Sequence, residues 1–321
     1  MKKVLVTGGM GFIGSNFIRM YLESDSSKNI INLDKLTYAG NPENLRDVEN
    51  DERYTFIKGD ICNQDIVKEA MVGCDTVVHF AAESHVDRSI KDPMAFIKTD
   101  VFGTYVLLEQ ARKQGIQKFI QISTDEVYGT IEPGYSSIES DALMPRNPYS
   151  ASKAGADRLA YSYYTTYGLP VVITRASNNY GPRQYPEKLI PLFVTNLIEG
   201  KKVPLMGDGK NIRDWLNVLD NCRAIDFLIE KGGNGEVYNI AGENEKENIE
   251  ITKIILNELN LDEDMIEWVP DRLGHDRRYS MKCEKIKSIG WRQSIEFETG
   301  MRDTIRWYVD NPDWWNPLKN D

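Results

Sequence analysis

The sequence predicts an α/β protein built on a doubly wound parallel sheet, with a smaller mixed α/β lobe in its C-terminal half. In the first half, short β-rich runs alternate with helical stretches, which is typical of a parallel sheet with helices on both faces. A glycine-rich turn joins the first β-rich run to the first helical stretch. Past Tyr180 the alternation loosens and glycine and proline become frequent, which indicates a less regular second lobe.

The individual elements follow from the same patterns. Strands are predicted in the runs KVLVTGG, IINLDKL, YTFIKGD, TVVHFAAE, FIQIST and GLPVVITRASN. Helices are predicted from about Gly14, near Asp65, over 94–113, over about 148–167, from Ile251 to Leu259 and from Glu298 to Val309. The 321 residues, 41% of them hydrophobic, can bury the cores of two lobes. We place the lobes at 1–180 and 181–321 and expect the chain to cross between them more than once.

The composition excludes several classes of protein. The formal charge is −10 and the basic residues are scattered, which argues against a nucleic-acid surface. Cysteines occur at 62, 74, 222 and 283 without a CxxC pair or nearby histidines, so no metal site is expected and reduced thiols are favoured. Glycines interrupt the apolar start of the chain, and no later run is long enough for a membrane span. We therefore expect a cytoplasmic protein without a membrane partner.

The turn TGGMGFIG predicts a dinucleotide site. It places Gly8, Gly11 and Gly14 between a strand and a helix, where glycine lets the backbone approach a pyrophosphate and the helix N-terminus attracts it. No GK[ST] follows, so a P-loop is excluded. This context predicts a Rossmann-like fold. Asp34, twenty residues after Gly14, would accept from both ribose hydroxyls and repel a phosphate, which favours NAD over NADP.

Asp60 ends the third predicted strand, in KGDI. Its carboxylate could face the adenine edge of a dinucleotide or could only cap the helix that follows. The residue types leave both alternatives open.

The segment YSASK places Tyr149 and Lys153 four residues apart, on one face of a predicted helix. A neighbouring ammonium and a cationic nicotinamide ring would lower the pKa of the tyrosine, so that it can take a proton from a sugar hydroxyl. The pattern is weak by itself but becomes informative behind a dinucleotide turn.

The segment ISTDEVYG contains an acidic pair, Asp125 and Glu126, at the end of a predicted strand. A strand that needs only a turn is served by asparagine or glycine. Two adjacent carboxylates can supply one acid and one base, provided that their surroundings separate their pKa values. The alternative is an acidic turn that closes the strand.

Together these segments resemble the extended short-chain dehydrogenase/reductases that act on nucleotide sugars. TGGMGFIG, FAAESHVDRS, STDEVYG, YSASK, RASNNYGP and DRLGHDRRY lie in that order along nearly the whole chain. The resemblance implies an NAD that is retained through the catalytic cycle. It assigns as NAD contacts Gly8, Gly11, Phe12, Ile13, Gly14, Asp34, Lys35, Leu36, Thr37, Asp60, Ile61, Ala81, Ala82, Thr99, Tyr149, Lys153 and Asn179.

Within this family the acidic pair resembles that of the members that eliminate water. The resemblance implies that dTDP-glucose is oxidised at carbon 4, loses water across carbons 5 and 6, and regains hydride at carbon 6. Glu126 would take the carbon 5 proton, a protonated Asp125 would release the carbon 6 hydroxyl, and Thr124 would hold the carbon 4 oxygen beside Tyr149. The same chemistry on UDP- or CDP-glucose is an alternative, and a catalytically silent NAD-binding regulator is another.

The resemblance also implies a set of substrate contacts. A diphosphate that approaches a protein of charge −10 needs a local cationic cluster, although each basic residue alone could be a surface charge and His85 could only pack. Two positions depart from the family pattern, Met206 in place of a tyrosine and Leu273 in place of a proline, and both bear on the preference for the nucleotide base. The expected contacts are Ser84, His85, Thr124, Asn178, Lys188, Leu189, Pro204, Met206, Arg213, Asn248, Asp271, Arg272 and His275.

The two long helices over 94–113 and 148–167 form a four-helix dimer interface in relatives. An apolar stripe such as Leu159, Tyr163 and Tyr167 would need cover, so we expect a homodimer. The alternative is that these side chains pack within their own chain.

Overall fold

A computed structural model describes residues 2–319 of the chain. Its centre is a seven-stranded sheet in which every neighbouring pair is parallel. All six strands predicted from the first half are present, which confirms the α/β fold class. The strands, in chain order, are β1 (Lys2–Thr7), β2 (Lys28–Asp34), β3 (Tyr54–Lys58), β4 (Thr76–His79), β5 (Lys118–Thr124), β6 (Val171–Ala176), β7 (Asn178–Tyr180), β8 (Val203–Met206), β9 (Ile212–Asn217), β10 (Val237–Ile240), β11 (Glu245–Glu247) and β12 (Ile266–Val269).

The order across the large sheet is β10-β6-β5-β4-β1-β2-β3. The central strands β4 and β6 are buried on both faces, as expected for a parallel sheet covered by helices on both sides. The direction of winding reverses between β1 and β4. In open α/β sheets a ligand crevice forms at such a reversal, beyond the carboxyl ends of the strands.

The helices confirm the main predictions, with two differences in detail. The first helix begins at Phe12 rather than Gly14. The predicted helix over 94–113 is interrupted by a π-helical segment, Ile97–Gly103, which joins α4 to α5. The helices are α1 (Phe12–Ser24), α2 (Gln64–Ala70), α3 (Val86–Lys91), α4 (Pro93–Phe96), α5 (Thr104–Gln114), α6 (Pro148–Tyr167), α7 (Leu189–Ile198), α8 (Val218–Lys231), α9 (Asn248–Glu258), α10 (Glu284–Ser288), α11 (Phe297–Asp310) and α12 (Pro312–Trp315).

The helix α6 has strong signals at both ends. Asn147 and Ser150 form a reciprocal capping box at its start, and Pro148 occupies the first turn. Gly168 ends it in the left-handed conformation. These signals fix the position of Tyr149 in the first turn, and of Lys153 one turn later.

The second half of the chain builds two small sheets, ordered β11-β9-β7 and β12-β8. They pack with α7, α9 and α11 around a separate apolar core that includes Phe193, Trp215 and Met301. Between these segments the chain returns to the large sheet, where α8 packs on α1 and β10 pairs with β6. Segments from the second half of the chain therefore contribute to the large sheet as well as to the second apolar core. The lobe bounds of 1–180 and 181–321 stay a prediction.

Two negative findings hold for residues 2–319. No helix in this range is long and apolar enough to cross a membrane. No group of three or more histidine, cysteine or acidic side chains in the same range is arranged to hold a metal ion.

Candidate active site

A cleft lies at the carboxyl ends of the large sheet, where the strand order reverses, and the segment before α7 covers its other side. This cleft brings together most of the residues predicted from sequence. Those that line it are Gly8, Gly11, Phe12, Ile13, Gly14, Asp34, Lys35, Thr37, Asp60, Ile61, Ala81, Ala82, Ser84, Thr99, Thr124, Asp125, Glu126, Tyr149, Lys153, Asn178, Asn179 and Lys188.

The glycine turn has the geometry that the sequence predicts. Gly8 has φ +73°, and a Cβ built there would lie 2.6 Å from the backbone nitrogen of Ala81. A Cβ on Gly14 would lie 2.4 Å from the carbonyl oxygen of Gly8. Helix α1 starts directly after this turn, without a side-chain cap and without an acidic residue in its first turn. The turn therefore presents an uncapped helix N-terminus to the cleft, which suits a diphosphate.

Asp34 ends β2 at the far side of the cleft. Its carboxylate accepts hydrogen bonds from Met10 N at 2.9 Å and Leu36 N at 2.8 Å. Burial raises its pKa, and the two backbone bonds oppose that shift. A carboxylate has about four acceptor sites, so two remain for ribose hydroxyls. Leu36 itself has φ +57° and does not line the cleft.

Asp60 is bound to Lys35 rather than to a helix end. Its Oδ2 lies 2.9 Å from the Lys35 ammonium, and its Oδ1 accepts from Cys62 N at 2.9 Å. Asn63 caps α2 instead. The helix-cap alternative for Asp60 is therefore wrong, and the carboxylate faces the cleft.

Thr124, Asp125 and Glu126 lie where β5 passes into a 3-10 turn. Asp125 is 3% exposed, and its Oδ1 accepts from the Thr124 hydroxyl at 3.1 Å. Its Oδ2 is buried and has no hydrogen-bond partner among the described residues. Burial, followed by the adjacent Glu126 charge, raises the pKa of Asp125 well above its usual value. This carboxyl therefore favours the protonated form.

Glu126 occupies a more polar setting. Its Oε2 lies 3.2 Å from the Tyr279 hydroxyl and 3.5 Å from the amide nitrogen of Asn147. The Tyr279 hydroxyl also lies 2.8 Å from Asp276 Oδ2. The two adjacent carboxylates thus have different surroundings, with donors grouped around Glu126 and burial around Asp125.

Tyr149 and Lys153 lie on one face of α6, as predicted, and both line the cleft. The Lys153 ammonium donates to the carbonyl of Ile122 at 2.7 Å. In the chain alone, the pKa of Tyr149 is raised well above its usual value, first by burial and then by the charges of Glu126 and Asp100. The expected lowering of the Tyr149 pKa by lysine is therefore not seen in the chain alone, because burial and the neighbouring carboxylates raise it and a hydrogen bond from Thr124 opposes them only in part.

Lys188 covers the opposite side of the cleft. Its ammonium donates to the carbonyl of Ser84 at 2.6 Å, and burial lowers its pKa. His85 lies just outside the lining, with Nε2 at 3.7 Å from Glu187. Burial lowers the pKa of His85, and its Nδ1 is buried without a hydrogen-bond partner in the described part of the chain.

The remaining predicted substrate residues all lie in the second half of the chain and do not line the cleft, and we refer to this set as the group around Arg213. Arg213 is buried, stacks 4.2 Å from the ring centre of Tyr279 and donates to the carbonyl of Asp276 at 3.0 Å. Since Tyr279 also contacts Glu126, this group adjoins the acidic pair. Its other members are Leu189, Pro204, Met206, Asn248, Asp271, Arg272 and His275.

The charge in this group is held by arginine rather than by histidine. His275 Nδ1 lies 2.5 Å from Asp271 Oδ1, and burial lowers the pKa of His275 to about 4. Arg272 lies 4.0 Å from Asp87, and its Nε is buried without a partner among residues 2–319. The Oδ1 atom of Asn248 is buried and unpartnered in the same range. Buried polar atoms of this kind are normally satisfied, so these two suit a polar ligand.

Several side chains at the site were not predicted from the sequence, and four of them carry charge or contact the acidic pair. Glu83 and Glu187 line the cleft, Tyr279 contacts Glu126, and Asp100 is buried against helix α6. Glu83 and Tyr279 lie inside the segments AAESH and DRLGHDRRY, and Glu187 precedes Lys188. Asp100 carries no motif, because only the π-helical turn directs it inward.

A dinucleotide turn and a Tyr-Lys pair facing one cleft define the short-chain dehydrogenase/reductase class that acts on nucleotide sugars. A family model described as GDP-mannose 4,6 dehydratase matches residues 5–304, and the chain belongs to that family. It is 48% identical to the dTDP-glucose 4,6-dehydratase of Streptomyces niveus over 323 residues, which covers 99% of this chain and 96% of the relative.

Solved structures agree with this assignment. The dTDP-glucose 4,6-dehydratase DesIV of Streptomyces venezuelae, solved with NAD and TYD bound, matches with a TM-score of 0.96 and 48% identity, covering 98% of this chain and 99% of DesIV. UDP-glucose 4-epimerase of Thermotoga maritima matches with a TM-score of 0.90 and 29% identity, covering 97% and 99% of the two chains. The fold is thus shared by relatives of different activity, and the site must decide between them.

Proposed function

We propose that this chain converts dTDP-glucose to dTDP-4-keto-6-deoxyglucose, as a 4,6-dehydratase. The observation that carries the proposal is the pair Asp125 and Glu126 beside Tyr149 in one cleft. Oxidation of carbon 4 needs a base and a dinucleotide, but elimination of water also needs a separate acid and base. The site holds two adjacent carboxyl groups with different surroundings. Asp125 is buried with a raised pKa, which suits an acid, and Glu126 faces hydrogen-bond donors, which suits a base.

The residues of the turn fit NAD. The glycine turn and uncapped α1 would hold the diphosphate, Asp34 would hold the adenosine ribose, and Asp60 with Lys35 would border the adenine. A phosphate beside Asp34 would be repelled, which favours NAD over NADP. When bound, NAD supplies the reversible acceptor for the hydrogen of carbon 4, a role that no side chain can fill.

Tyr149 is the proposed base for the carbon 4 hydroxyl. Thr124 lies within hydrogen-bond reach of it and would hold the same oxygen of the sugar. Lys153, fixed by its bond to Ile122, supplies an ammonium one turn along α6 from Tyr149. The raised pKa of Tyr149 makes its phenolate a strong base, whose formation requires positive charge nearby.

Elimination is assigned to the acidic pair. Once carbon 4 is a ketone, Glu126 takes the proton of carbon 5, and Asp125 gives a proton to the departing hydroxyl of carbon 6. The buried and unpartnered Oδ2 of Asp125 is the atom from which that proton would be delivered. The Tyr279 hydroxyl and the Asn147 amide lie within hydrogen-bond reach of the Glu126 carboxylate and would hold it in place.

The nucleotide end is assigned to the group around Arg213. Lys188, Arg213 and Arg272 would neutralise the diphosphate, and the unpartnered Nε of Arg272 supports this. Ser84, His85 and Asn178 would contact the sugar, and the remaining residues of the group would surround the base. Of the two departures from the family pattern, Met206 ends β8 and is half-buried, and Leu273 is 79% exposed.

The proposal is tested by incubating the purified protein with dTDP-glucose, UDP-glucose and CDP-glucose in parallel. Mass spectrometry should find a product lighter by one water, with the highest rate for dTDP-glucose. A higher rate with UDP- or CDP-glucose would retain the chemistry and overturn the base assignment. Binding of NAD with no product from any of the three sugars would favour a silent regulator instead.

The proposal includes a homodimer formed through the two long helices. Tyr163 is buried and donates to Glu109 at 2.8 Å, so this member of the expected stripe packs within its own chain. Tyr167 is 55% exposed. Further apolar side chains with substantial exposure on these helices are Ile97, Phe102, Tyr105 and Tyr161. Together they support a face that a second copy would cover.

The proposal also includes a cytoplasmic location, which is supported by the four free cysteines.

A further inference from the structure

Asp100 is a buried carboxyl group that the proposed reaction does not use. It lies in the π-helical segment Ile97–Gly103 and is 1% exposed. Single π-turns within helices are found mostly at functional sites, because they displace side chains from the regular helical positions. Here the next residue before it, Thr99, lines the cleft.

The two oxygens of Asp100 join two walls of the cleft. Oδ1 accepts from the backbone nitrogen of Glu83 at 2.8 Å, in the loop after β4. Oδ2 lies 2.6 Å from the hydroxyl of Ser152, on α6 between Tyr149 and Lys153. No cation lies within ion-pair distance of Asp100 in the described residues. A buried carboxylate without a paired cation is costly, so its retention beside the site calls for a role.

The Ser152 hydroxyl has one proton and two acceptors within reach. Besides Asp100, it lies 2.8 Å from the backbone carbonyl of Tyr149. When Asp100 is ionised, the hydroxyl proton goes to the carboxylate. When Asp100 is protonated, it can donate to Ser152, whose own proton is then free for the Tyr149 carbonyl. Both protonation states of Asp100 are therefore accommodated without an unsatisfied donor.

We propose that Asp100 is a positioning residue whose carboxylate clamps the β4 loop to helix α6, between Tyr149 and Lys153, and whose charge acts on these two residues. The inference rests on the proposed function only in using Tyr149 as the base. The ionisable groups that face Asp100 are Tyr149 and Lys153 on α6 and Glu83 on the loop.

The charge of Asp100 shifts the pKa values of Tyr149 and Lys153 in the same direction. The charge of Asp100 contributes to the raised pKa of Tyr149 and opposes the lowering that burial imposes on the pKa of Lys153. Burial raises the pKa of Asp100 itself to about 6. The charge would therefore be present above about pH 6 and absent below it.

The test compares Asp100→Asn with the wild type, since asparagine keeps the shape and removes the charge. Without that charge the pKa values of Tyr149 and Lys153 both fall, so both limbs of the pH profile of kcat/KM should move to lower pH by about one unit. Above about pH 6 the two profiles should differ, and below it they should converge. If both limbs of the pH profile of Asp100→Asn coincided with those of the wild type, the proposal would be overturned. Asp226→Asn, at the opposite end of the sheet in an ion pair with Lys28, is the matched control.

A second readout does not depend on turnover. The folded pKa of Asp100, about 6, exceeds its ordinary value of 3.8, so the wild type loses stability as the pH rises from about 4 to above 6. The asparagine variant lacks this loss. Its melting temperature should therefore rise relative to the wild type over that interval, and a constant difference would contradict the proposal.

Ser152→Ala keeps the carboxylate and serves if Asp100→Asn does not fold. Loss of the hydroxyl removes a hydrogen bond that favours the ionised form, so the inflection from Asp100 should move to higher pH. An inflection that stays in place would overturn the role of the Ser152 bridge. The two readouts also separate the two proposals. If the protein showed no turnover but Asp100→Asn still changed the dependence of stability on pH, the proposed function would be contradicted while the inferred charge of Asp100 would stand.

Discussion

The substitution Asp125→Asn should block the elimination of water while leaving the oxidation of carbon 4 intact. The substitution preserves the size of the side chain, and its carbonyl oxygen can still accept from Thr124 in place of Oδ1. At the position of Oδ2 the amide can donate a hydrogen bond but cannot deliver a proton. Carbon 4 should therefore still be oxidised, while loss of the carbon 6 hydroxyl stalls.

The size of the effect follows from the role. General acid catalysis contributes about 10²- to 10⁴-fold, which corresponds to roughly 3–5 kcal/mol in the barrier for elimination. Folding should not suffer, because the raised pKa of Asp125 means that the wild type already favours a neutral group at this buried position. The variant should melt at or above the temperature of the wild type at neutral pH.

A single-turnover experiment in deuterated water measures this prediction. The absorbance of reduced cofactor should accumulate in Asp125→Asn, and deuterium should exchange into carbon 5 because Glu126 remains. Glu126→Gln is the matched comparison, in which accumulation should occur without exchange at carbon 5. Elimination at the wild-type rate by Asp125→Asn would refute the assignment of Asp125 as the acid.

Three further variants test the proposed base, the NAD contact and the dimer face. Tyr149→Phe removes the proposed base and should lower oxidation of carbon 4 by at least about 100-fold, measured in a single turnover; wild-type rates would exclude the role. Gly14→Ala places a Cβ 2.4 Å from the Gly8 carbonyl and should weaken NAD binding, measured by calorimetry; unchanged affinity would contradict the proposed turn contact. Phe102→Ser with Tyr105→Ser should shift the mass measured by light scattering from dimer to monomer; an unaltered dimer would place the interface elsewhere.

Much of the fold could be predicted from the sequence because its signals are local. Each strand of the first half is a short apolar run with a turn signal after it, and parallel burial makes such runs stand out. The strand β10 could not be assigned to the large sheet, because pairing with β6 depends on where the chain returns after α8. The π-helical segment was also missed, since nothing in its residues departs from ordinary helical periodicity.

The cleft could be predicted for the same reason as the strands. Gly8, Asp34 and Asp125 each end or directly follow a strand of the large sheet, and Tyr149 lies in the first turn of helix α6, which packs on β5 and β6 of that sheet. The raised pKa of Tyr149 could not be predicted, because it depends on burial and on the charges of Glu126 and Asp100, which only the fold brings to it. The group around Arg213 was chosen by resemblance. It lies outside the cleft lining but adjoins it, because Arg213 stacks on Tyr279 and Tyr279 contacts Glu126.

The most direct test of the proposed function uses dTDP-glucose that carries deuterium at carbon 4. The proposed reaction moves that hydrogen to carbon 6 of the same sugar, so nuclear magnetic resonance should find the label in the methyl group of the 4-keto product. Elimination with the label lost to solvent, or oxidation without any deuterated methyl group, would contradict a 4,6-dehydratase at this site.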